Sequence, residues 1–120
     1  MEIKNFIWVG VGGMMGAIAR YLLGSIIKSV TFPYATGLIN ILGALIMGIV
    51  MGLAAKGQIS PSLRLFLATG ICGGFTTFSA VAWENLELLQ QQRYGSFLVY
   101  TAGTLALGII ATAIGYLLAK

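Results

Sequence analysis

Histidine is absent from the 120 residues, and cysteine occurs once, at Cys72. Without imidazole there is no histidine base, no Ser–His–Asp triad and no histidine-ligated metal. One thiol forms no intrachain disulfide and no Cys-x-x-Cys redox or metal motif. The only acids are Glu2, Glu84 and Glu87, too few and too scattered for a paired-carboxylate hydrolase. An enzyme is therefore not expected. Charge of either sign is scarce as well: 8% of residues are charged, against 58% hydrophobic, where a soluble domain carries about 25% charged residues. Ten charges do not coat a water-exposed surface. The seven cations (Lys4, Arg20, Lys28, Lys56, Arg64, Arg93 and Lys120) stand singly, whereas a phosphate-tracking stripe needs them clustered, so a nucleic-acid partner is excluded. The composition is that of a membrane protein, with the lipid bilayer as its solvent.

What is abundant is uninterrupted apolar chain. Residues 29–55, 65–83 and 94–119 carry no charge, and Arg20 alone interrupts 5–27. A membrane helix needs roughly 20 apolar residues. One all-α domain over 1–120 follows, with four transmembrane helices at about 6–27, 34–55, 63–89 and 96–118. Both prolines fall in connections, Thr31-Phe32-Pro33 and Lys56 to Pro61; Ser60 is placed to cap the third helix with Pro61 in its first turn. Strands are excluded, because the runs are long and do not alternate. Lys4 before an apolar run suggests a signal peptide, but the glycines and Arg20 within that run argue against a cleaved segment.

Small residues recur every four positions: Gly12 and Gly16, Ala44, Gly48 and Gly52, Gly70 and Gly74, Ala111 and Gly115. Such spacing lets helix backbones approach closely in lipid, either within one chain or between subunits. With four spans, the side holding both termini receives Lys4, Lys56, Arg64 and Lys120. The other side receives Lys28 and Arg93, with Arg20 near it. Four against three gives positive-inside sorting little to act on. Insertion both ways, and hence an antiparallel homodimer, is one outcome; a single orientation set by other cues is the other.

Polar chemistry enters the apolar runs at a few places. Thr69-Gly70-Ile71-Cys72-Gly73-Gly74-Phe75-Thr76-Thr77-Phe78-Ser79 places poor helix formers near the middle of the third span. Either the helix breaks there, releasing carbonyls for a cation and N–H groups for an anion, or the stretch is a glycine-rich packing face. Asn40 offers two amide donors, suited to an anion or to helix-to-helix bonding. Arg20 either snorkels to the interface or places positive potential at a vestibule. Glu84, Tyr100 and Thr104 add polar groups toward the outer parts of spans three and four. Phe78, directly after Thr76-Thr77, carries a ring whose positive edge can face a small anion.

The chain resembles the small bacterial fluoride channels of the Fluc type over essentially its whole length. The likeness lies in Gly12-Gly13-Met14-Met15-Gly16-Ala17-Ile18-Ala19-Arg20-Tyr21, in Gly37-Leu38-Ile39-Asn40-Ile41-Leu42-Gly43 and, most specifically, in Gly70 to Ser79. The resemblance implies a third helix broken near the midplane and a dual-topology antiparallel homodimer with two pores at the subunit interface. It implies a structural Na⁺ on the two-fold axis, held by main-chain carbonyls at positions matching Gly73 and Thr76. Asn40 and Phe78 match the family's pore residues, Ser79, Tyr100 and Thr104 a hydroxyl track, and Arg20 and Glu84 its vestibule. One departure stands out. The family pattern Phe-Ser-Thr-Phe-Ser here reads Phe78-Ser79-Ala80-Val81-Ala82, so the second ring and two hydroxyls are missing.

The expected activity is passive, selective export of fluoride across the inner (plasma) membrane, by a multi-pass protein that binds fluoride and its own second copy. A partner subunit of a heterodimeric channel, supplied with the missing ring by another chain, is the alternative. A small multidrug exporter fits less well, since it needs a carboxylate in its first helix and residues 5–27 have none.

Overall fold

A computed structural model describes residues 2–28 and 32–120; Thr31, placed above in the first connection, lies outside the described residues. Helices α1 (Ile3–Ile26), α2 (Tyr34–Ala55) and α6 (Tyr94–Ala119) are continuous. The third span runs from Pro61 to Gln90 in pieces: α3 (Pro61–Arg64), a π-helix (Leu65–Cys72), α4 (Gly73–Phe75) and α5 (Phe78–Gln90). At 1.5 Å per residue, the 24 residues of α1 reach about 36 Å, enough to cross a bilayer core. All four spans are long and apolar enough to cross a membrane, and among the described residues no strand occurs.

The starts and stops have local causes. Ser60 Oγ accepts the Leu63 N–H at 3.1 Å, with Pro61 at the first helical position, the cap anticipated from the residue order. The ends of α2 and α5 close alike. Gln58 N–H reaches Leu53 O and Gly57 N–H reaches Ala54 O; Arg93 N–H reaches Leu88 O and Gln92 N–H reaches Leu89 O. Both are Schellman motifs, and their C′ residues, Gly57 (φ 71°) and Gln92 (φ 59°), are left-handed.

The protein is turned inside out relative to a soluble bundle. Ile18, Leu22, Leu98, Leu105 and Ile109 are all more than half exposed, a surface that only lipid solvates. Many buried positions are instead occupied by glycine, beside a small core that includes Ile39, Val50, Cys72 and Phe75. A Cβ on Gly12 would meet Phe66 O, and one on Gly16 would meet Ile71 O, so α1 lies backbone to backbone on the π-helix. A Cβ on Gly48 would meet Thr112 O, and one on Gly115 would meet Leu45 O, which fixes α2 against α6. Thr112 Oγ also donates to Ala44 O at 3.0 Å across that seam. The four-residue stripes thus serve contacts within the chain, where van der Waals packing replaces the missing hydrophobic drive.

The expected break in the third span is present, but its place is narrower than the whole Gly/Thr stretch. Gly70 to Phe75 stay helical; only Thr76 (φ −87°, ψ 155°) and Thr77 (φ −152°, ψ 125°) are extended. Glycine's weak helix propensity is overridden because Gly70 and Gly74 are pressed against α1, where an uncoiled chain would leave its backbone unpaired.

Candidate functional site

Three side chains from three directions hold the interruption open. Asn40, from α2, donates Nδ2–H to Thr77 O at 3.0 Å and accepts the Thr77 N–H on Oδ1 at 2.9 Å. Arg20, from α1, donates Nε–H to Gly74 O at 3.1 Å. Thr76 folds back, its Oγ–H donating to Cys72 O at 2.8 Å, the carbonyl that also takes the Thr76 N–H. Thr77 then caps α5, its Oγ accepting Ala80 N–H at 3.4 Å and lying 3.0 Å from Ser79 Oγ. Among the described residues no hydrogen bond outside the helices reaches the carbonyl oxygens of Gly73 or Thr76, and Gly73 is exposed.

In the protein both Asn40 and Arg20 tie their helices to the break. Asn40 uses one of its two N–H groups for this, and among the described residues the second has no partner. Asn40 also lines a groove of about 720 Å³ along the α2–α6 seam, with Thr104, Gly108 and Thr112. Next to the break, Phe78 is 83% exposed and Ser79 is exposed too. Among the described residues little covers that ring.

Tyr100, expected near an interface, is 1% exposed. Phe32 meets its ring edge-on, with centroids 5.5 Å apart. Its hydroxyl is the one buried side-chain polar atom among the described residues without a hydrogen-bond partner. Glu84 and Thr36 lie beside it. Thr104 differs: its Oγ–H bonds back to Tyr100 O at 2.6 Å and is committed to its own helix. Asn40 and Thr104 thus share the groove, Phe78 and Ser79 follow the break along the chain, and Thr104 also lines a second cavity with Tyr100. Arg20 sits behind the break, in a separate cavity of about 540 Å³ that Lys28 also lines.

Thr112 and Thr77 escaped the residue-level expectations. Thr112 was legible in principle, lying two turns beyond Thr104 on the same face. Thr77's role depends on Asn40, 37 residues away, and no local pattern signals it. Among the described residues no group of three or more acids and cysteines gathers to hold a metal.

A helix interrupted inside an apolar bundle, clamped by an asparagine that also lines a largely apolar groove, is the arrangement of a membrane transport protein of the discontinuous-helix kind. Residues 7–116 match the family described as CrcB-like protein, Camphor Resistance (CrcB). The chain is 39% identical over 119 residues to a fluoride-specific ion channel of Thermus thermophilus, covering 97% of this chain and 94% of that one. It is 40% identical to the fluoride-specific ion channel of Flavobacterium psychrophilum, covering 98% of each. The same named channel of Ignicoccus hospitalis is 40% identical over 98% of this chain and 97% of its own. The chain belongs to the CrcB-like family.

Proposed function

We propose that this protein is a fluoride-selective channel, exporting cytoplasmic fluoride passively through two pores formed between antiparallel copies of the chain. The observation that carries the proposal is the open groove lined by Asn40 and Thr104, together with an exposed Phe78 just after the break that Asn40 clamps. A second, inverted copy closes the groove and supplies a ring edge, and the two-fold symmetry makes two such pores. The near balance of cations at the two ends, four against three, supports insertion in both orientations.

Fluoride is small and strongly hydrated, so the path must replace its water in stages without trapping it. The donors suited to this are the free Asn40 N–H, the unpartnered Tyr100 hydroxyl and the Phe78 edge, with Ser79 and Thr104 between them. Glu84 and Arg20 stand at the vestibules. The membrane potential drives the anion outward, at about 2.3 kcal/mol per charge per 100 mV. A coupled cation exporter needs an intramembrane carboxylate, and α1 has none.

A Na⁺ on the two-fold axis completes the proposal. The Gly73 and Thr76 carbonyls fit it: they are hard oxygen donors, they lie beside the break, and among the described residues no donor outside the helices takes them. When bound, the ion supplies a fixed positive charge and cross-links the copies. The second reading, a subunit paired with a different chain, rests on Ala80, Val81 and Ala82, which remove one ring and two hydroxyls from α5.

Reconstitution tests the main reading. Purified protein in liposomes loaded with fluoride and chloride is expected to release fluoride under an applied potential and retain chloride. Retained fluoride overturns it.

A further inference from the structure

We infer that Asn85 and Thr101 are positioning residues that set the spacing between the two helices bearing Glu84 and Tyr100; the inference rests on the conduction path proposed above. α5 is weakly anchored. Of its 13 residues only Leu88 is buried, at 4% exposure, while Trp83 and Leu86 stand 59% and 45% exposed. In lipid such a helix gains little from burying apolar surface against its neighbours, so directional bonds decide where it sits. Its first turn is held by the Asn40 clamp on Thr77. Two turns further on, Thr101 Oγ–H donates to Asn85 Oδ1 at 3.1 Å, tying α5 to α6.

The placement of this tie gives it a role beyond stability. Asn85 is the chain neighbour of Glu84, and Thr101 is the chain neighbour of Tyr100. A bond between the neighbours fixes the register and separation of the helices where they carry Glu84 and Tyr100. Neither Asn85 nor Thr101 touches the ion in this account. They hold the walls at the distance a small anion needs, and a slack wall admits a larger one.

The experiment uses Asn85→Leu, Thr101→Val and the double variant in the full-length protein, with two readouts. In liposomes each single variant is expected to slow fluoride release by about threefold to tenfold, the size of an interhelical side-chain bond in membranes. Chloride release is expected to rise relative to fluoride, the double variant to match the worse single, and Thr101→Ser to recover both rates. Amide exchange along α5 in micelles is expected to quicken in the same variants, and this does not depend on conduction. Should Asn85→Leu fail to assemble, Thr101→Val carries the test, since it replaces a hydroxyl by a methyl of equal size. Unchanged exchange and an unchanged fluoride-to-chloride ratio in Thr101→Val overturn the inference, as do losses that multiply in the double variant. A wild-type protein that retains fluoride while α5 loosens in the variants overturns the channel reading and leaves the tie standing.

Discussion

Replacing Asn40 puts the clamp at the break to the hardest test. Its side chain makes two hydrogen bonds, of 3.0 and 2.9 Å, to the N–H and C=O of one extended residue, Thr77. Asn40→Leu preserves the volume and removes both bonds, leaving a donor and an acceptor unpaired in an apolar surrounding. A buried orphan costs about 1–3 kcal/mol. Interhelical side-chain bonds in membranes average about 0.6 and reach about 1.7 kcal/mol. The site is partly buried, so the low end applies, and two groups together give a loss of about 2 kcal/mol. Asn40→Ala is expected to lose more, because it also leaves a void beside the groove. The assay is reversible denaturant unfolding in detergent micelles, followed by the fluorescence of Trp8 on α1 and Trp83 on α5. It must run at one protein concentration, because association shifts the apparent midpoint. Fluoride release by the Leu variant is expected to vanish, since the same side chain offers its second N–H to the groove. An unfolding midpoint for Asn40→Leu equal to wild type would refute the clamp.

Gly48→Ala is expected to destabilise the α2–α6 pair by about 1–3 kcal/mol, since the new methyl meets the Thr112 carbonyl. Gly103→Ala, with nothing within 4 Å of its added methyl, is expected to hold or gain up to about 1 kcal/mol in the same unfolding assay. Val81→Phe restores a ring one turn beyond Phe78 and is expected to raise fluoride flux in liposomes; unchanged flux would mean the missing ring does not limit conduction.

The spans were legible because a bilayer imposes a length on every apolar run, and charge-free stretches such as 29–55 and 94–119 carry that length openly. Ser60-Pro61 announced its own helix start, since capping is local chemistry. Legibility ended where the answer depended on a distant neighbour. The Gly/Thr stretch signalled trouble in the third span, yet whether Gly73 or Thr76 uncoils is decided by α1 pressing on Gly70 and Gly74 and by Asn40 reaching Thr77. Two features left no trace at all: the π-helical turns of Leu65–Cys72, and the left-handed Gln92, which stands where a glycine is usual. Tyr100 reads as interfacial by residue type, but the packing of Phe32 over its ring buries it.

The two-residue gap at Thr76 and Thr77 has an electrical consequence. A helix ends there and another begins, so the carbonyl pole of one and the amide pole of the next face each other in the interior of the bundle. The protein thereby holds adjacent spots of opposite polarity built from main chain, one hospitable to a cation and one to an anion, with Arg20 donating to the Gly74 carbonyl beside them. Main-chain dipoles neither gain nor lose protons at any physiological acidity. The main-chain part of the centre therefore keeps the same polarity whichever compartment is acidified.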